Sequence, residues 1–323
     1  MKQPDAIASF IKDENGFIIV GHINPDGDCI GSVLGLGRGL MRLGKDVRMV
    51  LTDAVPEVYR YLAGSEDIES AAGFCCAYTN VIYLDCAEQQ RCGDELAAQL
   101  RQQACHTVCI DHHISNLGFA EFNWVDPQAT ATAELVYELL KKLDATFAPD
   151  ITDPLCVGIL QDTGFFHHSN AGADTLRLAA ELMDNGANLH ETYLRLYESM
   201  SVAEMMLHSR AIGSLKLSPD QRVAWMQITA ADLKELDAEK IFPEDLVSKG
   251  LAVRSVEVGL LFREVAADKI KVSLRAKHDT DVAMVAESFG GGGHRKAAGV
   301  TMQGSLDACI EQVLAKLREV MEA

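Results

Sequence analysis

The chain has 323 residues, 48% hydrophobic and 24% charged, and exceeds the length at which one core usually stops growing, so two domains are expected. Its 29 basic against 47 acidic residues leave a net charge of -18, which repels long polyanions and disfavours a protein that tracks duplex nucleic acid. No apolar run approaches the roughly 18 residues of a membrane span, and Met1-Lys2-Gln3-Pro4-Asp5 lacks the apolar core of a leader, so a cytoplasmic protein without a membrane partner is expected.

The amino-terminal part alternates short apolar runs with helical periodicity. Phe17-Ile-Ile-Val20 is followed by the helical spacing of Val33, Leu34, Leu36, Leu40 and Leu43, then by Val47-Arg-Met-Val-Leu51, Val81-Ile-Tyr-Leu84 and Thr107-Val-Cys-Ile110. Runs this short and continuous suit strands of a parallel sheet buried on both faces, with helices covering each face. Helices are expected at Ala131 to Leu143, Pro154 to Leu160 and Thr175 to Met183. The expected α/β domain spans residues 1–187. Residues 188–207, rich in Leu, Tyr, Glu and Met without turn signals, read as a helical connector. Residues 208–323 read as a smaller mixed α+β domain, with strands at Val223–Ile228, Val256–Phe262 and Ile270–Leu274, helices near 230–238 and 280–288, and a closing helix at Leu306–Met321. Nine cysteines form no C-x-x-C pair and their number is odd, which predicts reduced thiols rather than a zinc ribbon or a disulfide framework.

Polar clusters follow three of the apolar runs: His22-Ile-Asn-Pro-Asp26-Gly-Asp28, Asp85, and Asp111-His112-His113. In open parallel sheets ligands bind beyond the carboxyl ends of the strands, so residues 90 positions apart in sequence can converge on one site. His22, Asp26 and Asp28 read as one short loop turned by Pro25 and Gly27. Each cluster alone reads equally as a solvated turn or a helix cap. Asp26, Asp28, Asp85 and Asp162 brought together without cations would repel and take up protons; two divalent metals would neutralise them. Carboxylates with imidazoles and no cysteine at ligand spacing suit Mn²⁺ or a related ion.

This ordered set, with Gly31-Ser32 and Asp162-Thr163-Gly164, resembles the DHH phosphoesterase family, and Gly290-Gly-Gly-Gly-His294-Arg-Lys-Ala-Ala-Gly299 is similar to the loop of the associated DHHA1 domain. Length and domain pairing look closest to the bifunctional oligoribonuclease and pAp phosphatase subgroup. The resemblance implies that His22 and Asp26 hold one Mn²⁺, that Asp28, His112 and Asp162 hold a second, and that Asp85 bridges the two. It implies that Asp111 orients the His112 imidazole, that His113 contacts the scissile phosphate or assists the leaving oxygen, and that a water activated between the metals attacks phosphorus. Arg275, Gly291, Gly292, Gly293, His294 and Arg295 would hold the phosphate or base of a nucleotide, with Arg254 and Arg263 as weaker candidates because an arginine at a strand end is commonly a solvated partner of acids.

The implied partners are short single-stranded oligonucleotides or small nucleotides, not duplexes; a homodimer is left open. Gln161 stands where related sequences often have a small hydroxyl residue, and His167-His168 where an arginine is common, which bears on substrate preference. The alternatives are a phosphodiesterase for linear or cyclic dinucleotides, a long-strand exonuclease of the RecJ kind, a family II pyrophosphatase, and a nucleotide-binding regulator without catalysis.

Overall fold

The chain opens with α1 (Gln3–Asp13) and then lays down β1 (Phe17–Val20), α2 (Gly27–Arg42), β2 (Val47–Leu51), β3 (Ile68–Ser70), β4 (Asn80–Leu84), α3 (Asp94–Gln103), β5 (His106–Asp111) and β6 (Phe122–Val125). The helices α4 (Thr132–Lys142), α5 (Pro149–Asp162), α6 (Ala173–Asp184) and α7 (Leu189–Tyr197) complete the first of two compact units, Met1–Ser199. These details come from a computed structural model, which describes residues 3–241, 243 and 246–322; Met1 and Lys2 of the leader reading lie outside them. Among the described residues no helix is long and apolar enough to cross a membrane.

All six strands run parallel in the order β3-β2-β1-β4-β5-β6. The alternation of a strand sends Phe17, Ile19, Ile82, Leu84, Val108 and Ile110 to the face covered by α1, α2, α4 and α5. Ile18, Val20, Val81 and Tyr83 go to the opposite face, against Leu96, Ala97 and Leu100 of α3. The chain leaves β1 for β2 on one side and returns to β4 on the other, so the strand order reverses between β1 and β4. A crevice opens at the carboxyl ends there.

One helix pair positions the site. Gly27, Gly31, Gly35 and Gly39 recur every fourth residue on α2 and form one face without side chains. A Cβ at Gly31 would stand 2.2 Å from the Pro154 carbonyl oxygen, one at Gly27 2.9 Å from Gln161, and one at Gly35 2.5 Å from Leu155. The backbones of α2 and α5 therefore touch, antiparallel, which brings Asp162 at the end of α5 beside Asp28 in the first turn of α2. Helix α5 starts at Pro149, five residues before the expected start at Pro154, because a proline fits the first turn, where its missing N–H has no partner to lose.

The second unit, Met200–Ala323, comprises α8 (Val202–Gly213), β7 (Lys216–Leu217), β8 (Val223–Ile228), α9 (Ala230–Glu235), α10 (Val247–Leu251), β9 (Val258–Ala266), β10 (Lys269–Ala276), α11 (Val282–Glu287), β11 (Gly292–His294), β12 (Ala297–Gln303) and α12 (Leu306–Glu322). Its sheet has the order β11-β12-β10-β9-β8-β7 and is antiparallel except between β8 and β9. Helices α11 and α12 cover one face over Leu260, Phe262, Val272 and Leu274.

Residues 188–207 do not form one helix: α7 ends at Tyr197, and α8 starts after Ser201, whose hydroxyl accepts the Glu204 N–H, and runs on to Gly213. A Ser-x-x-Glu cap starts a new helix there. All nine cysteines are free, and six of them are buried.

Candidate metal centre

The strands β1, β4 and β5 deliver His22, Asp85 and the Asp111-His112-His113 tripeptide to one edge of the sheet, and α2 and α5 deliver Asp26, Asp28 and Asp162. Helix α2 already begins at Gly27, so Asp26 is its N-cap, accepting the Asp28 and Cys29 N–H groups at 3.1 Å, and Asp28 is a helical residue rather than part of a loop. A carboxylate favours that position because the first turn of a helix leaves N–H groups unpaired.

Three groups of donor atoms result, His22 with Asp26 and Asp85, Asp28 with His112 and Asp162, and Asp85 with His112 and His113; within each group the atoms lie within 4.8 Å of one another. Asp85 belongs to the first and third and faces the second through His112. Its Oδ2 is 3.3 Å from His22 Nε2 and its Oδ1 is 3.7 Å from His112 Nε2. His112 Nε2 also lies 3.1 Å from Asp162 and 3.8 Å from Asp28. Asp85 has φ 57°, a left-handed conformation unusual for an aspartate, and Thr132 Oγ1 donates to its Oδ1 at 2.9 Å. Asp28, fully buried, accepts the Thr132 N–H at 2.7 Å and the Ala133 N–H at 2.9 Å at the start of α4.

Electrostatics here are governed by crowded carboxylates. Burial, and then the charges of Asp85 and Asp162, push Asp28 well above the usual carboxylate range, outweighing the Ala133 N–H; burial raises Asp162 as well. Burial alone would lower His22 and His112, yet neighbouring carboxylates push both up to about 10: Asp26 and Asp85 act on His22, and Asp162, Asp28 and Asp85 on His112. Crowded oxygens and imidazole nitrogens of this kind are the surroundings that favour bound positive charge. The nearby Cys29 thiol is pushed well up by burial, so it supplies no thiolate. Hard or borderline divalent cations fit the residues present.

Asp111 has a different partner from the one expected. Its Oδ1 is 2.7 Å from His113 Nδ1, whereas His112 Nδ1 faces the Ala129 carbonyl at 3.4 Å. Alternation explains this, since residues two apart at a strand end point the same way. Burial would raise Asp111, but the hydrogen bonds from His113 and Asn116 hold it below the usual carboxylate range, so it is anionic and His113 Nδ1 carries the proton it shares.

The chain matches the DHH family, N-terminal domain, over residues 16–159 and the DHHA1 domain over residues 233–323. The bifunctional oligoribonuclease and PAP phosphatase NrnA of Thermus thermophilus is 32% identical over 97% of this chain and 93% of its own. The chain belongs to the DHH family. A Bacillus subtilis protein of the same name is 26% identical over 87% of each chain. The DHH fold is seen also in an exopolyphosphatase-related protein of Bacteroides fragilis, at a TM-score of 0.92 with 24% identity, covering 98% of this chain and 96% of that one.

In the DHHA1 unit, Ala297 on β12 pairs with Arg275 on β10 on one side and with His294 on β11 on the other. These three residues form one row across the sheet and present the same face. Gly291 and Gly293 are required by chain packing, since a Cβ would stand 2.4 Å from the Gly299 carbonyl or 2.5 Å from the Ala297 carbonyl; Gly292 has open space around it. Arg295 donates through Nε and Nη2 to the Asp279 carbonyl, at 3.2 and 2.8 Å, so these donors brace the loop. Arg263 is neither solvated nor at a strand end: it is buried within β9 and donates to the Ile241 carbonyl at 2.8 Å.

Three side chains at the DHH site escaped the sequence reading. Thr132 binds Asp85, Asn116 binds Asp111, and Arg91 lines the same cavity as His22, Asp26, Asp85 and Asp162. The threonines before the α4 periodicity were a cap signal; nothing in the sequence marks the other two.

Proposed function

We propose that this protein is a phosphoesterase that uses two divalent cations, Mn²⁺ for choice, to hydrolyse short oligonucleotides to mononucleotides and to remove the 3'-phosphate of pAp-like nucleotides. The observation that carries this reading is Asp85, whose two oxygens face the imidazoles of two separate donor groups. His22, Asp26 and Asp85 would hold one cation, and Asp28, His112, Asp162 and Asp85 the other. Cations there would supply Lewis-acid stabilisation of the phosphoryl oxygens and an activated water.

The chain's own residues do the rest. Thr132 and the amino end of α4 hold Asp85 and Asp28 in place. Asp111 accepts a hydrogen bond from the Nδ1–H of His113, which leaves Nε2 of that ring for the phosphate or leaving oxygen; His113 lines the cavity. Arg275 and His294, in one row of the DHHA1 sheet, are the candidate nucleotide contacts of that unit. The substrate class comes from the NrnA relatives, whose names state oligoribonuclease and PAP phosphatase activities. A regulator without catalysis has no need of all six donors.

Turnover of pAp, of 5'-phosphorylated oligonucleotides of two to ten residues, of linear and cyclic dinucleotides and of pyrophosphate, each with Mn²⁺, tests the proposal. Activity should be highest on pAp and the shortest chains. Equal rates on dinucleotides and on long or duplex strands would overturn it, and exclusive turnover of cyclic dinucleotides or pyrophosphate would replace it with one of those activities.

A further inference from the structure

The cavity beside the donor groups has a volume of about 540 Å³, large enough for a nucleotide rather than a single phosphate. Carboxylates, imidazoles, Ile114, Pro127 and Gln128 line most of it, and Arg91 is the one arginine or lysine among the described residues that line it. The backbone of Arg91 is fixed. It lies in the 3₁₀ turn Gln89–Cys92 that follows Asp85, its carbonyl accepts the Ile23 N–H at 2.7 Å, and the next carbonyl, of Cys92, accepts Thr52 Oγ1 at 2.5 Å. This ties Arg91 to the segment that carries His22 and Asp26.

Its side chain is not fixed in the same way. The guanidinium is exposed and takes no hydrogen bond or ion pair with any described residue. Elsewhere Arg42, Arg48, Arg177, Arg195, Arg210 and Arg222 each pair with a carboxylate, as expected in a chain with 47 acidic residues. A planar fork of donors left unpaired beside an acidic cavity matches a phosphate brought by the ligand. Among the donors His22, Asp28 and Asp85 are buried, so the phosphate to be cleaved belongs over them and the exposed guanidinium suits a second phosphate nearer solvent.

We propose that Arg91 binds the phosphate one ribose away from the scissile one, so that the DHH unit by itself recognises a phosphate–ribose–phosphate element. This rests on the nucleotide reading above. It gives pAp and a 5'-phosphorylated dinucleotide the same footprint: metals on the 3' phosphorus, Arg91 on the 5'-phosphate.

The test compares kcat/KM for a 5'-phosphorylated dinucleotide and its 5'-hydroxyl counterpart, in the parent, Arg91→Gln and Arg91→Lys, with the Mn²⁺ content of each measured. The parent should prefer the phosphorylated substrate. In Arg91→Gln that preference should fall about tenfold, through KM, as expected for a charged hydrogen-bond pair near solvent. Arg91→Lys should retain part of it, and Mn²⁺ content should not change. An equal loss on both substrates, an unaltered preference in Arg91→Gln, or no preference in the parent would overturn the assignment of Arg91. Failure of the parent to cleave either dinucleotide or pAp would instead overturn the proposed function.

Discussion

Asn116→Ala isolates the support of His113 from the metal ligands. Asn116 Nδ2 donates to Asp111 Oδ2 at 2.7 Å and to the Cys86 carbonyl at 3.1 Å, and Asp111 is fully buried. A hydrogen bond to a charged group contributes about 1.5–3 kcal/mol and a neutral one about 1 kcal/mol, so the substitution should cost about 3 kcal/mol at pH 7. Urea unfolding measures this directly. Asp111 is held below its ordinary range, so its stabilisation is present above the unfolded carboxylate value of about 3.9 and is lost as pH falls through the folded value. The deficit of the variant should therefore hold from pH 7 down to about pH 4 and shrink only below it, as pH falls from the unfolded towards the folded value. Hydrolysis should fall because His113 loses its fixed partner, while Mn²⁺ content stays at the parental level, since neither Asn116 nor Asp111 is among the six donors. A deficit below about 1 kcal/mol at pH 7, against the range for charged hydrogen bonds, or a parallel loss of metal, would refute the reasoning.

Asp85→Ala removes the carboxylate that faces both His22 and His112 and should lower metal content and abolish hydrolysis; unchanged values of both would end the two-cation proposal. Without metal, the contributions of His22 and His112, both pushed up to about 10, should be complete below about pH 6.5 and disappear as pH rises towards 10. Mn²⁺ competes with those protons and should bind more tightly as pH rises, so melting curves with chelator and with Mn²⁺ should diverge with pH; parallel curves would contradict the assignment. Gly31→Ala places a Cβ against the Pro154 carbonyl and should destabilise by about 1–3 kcal/mol while also weakening Mn²⁺ affinity, because α2 and α5 carry Asp28 and Asp162. Thermal unfolding and a metal titration on the same variant check this; parental affinity in a destabilised variant would show that the helices do not set the donor spacing.

The buried strands β1, β4 and β5 were legible because both faces of a parallel strand are apolar, which leaves an unbroken run in the sequence. The edge strands β3 and β6 were not: they have three and four residues, none buried. Helix α3 exposes half of Asp94–Gln103 and buries only Leu96, Ala97 and Leu100, too few to stand out as a stripe. The acidic and histidine donors were legible because each follows a strand or stands at one end of a helix. Arg91 and Asn116 act through loops folding back on the sheet, and no local pattern encodes that return. The glycine spacing on α2 was present in the sequence, but its meaning depends on Pro154 more than 120 residues later.

The contact between Gly31 and Pro154 gives the donor cluster an unusual kind of stiffness. Spacing set by side chains can relax through rotamer changes, but two backbones at closest approach meet a repulsive wall that rises steeply with any further compression. Asp28 and Asp162 are mounted on that wall, one at the start of one helix and the other at the end of its neighbour. The gap between them thus behaves as a fixed gauge whose width is decided by three positions, Gly27, Gly31 and Gly35, that carry no side chain at all.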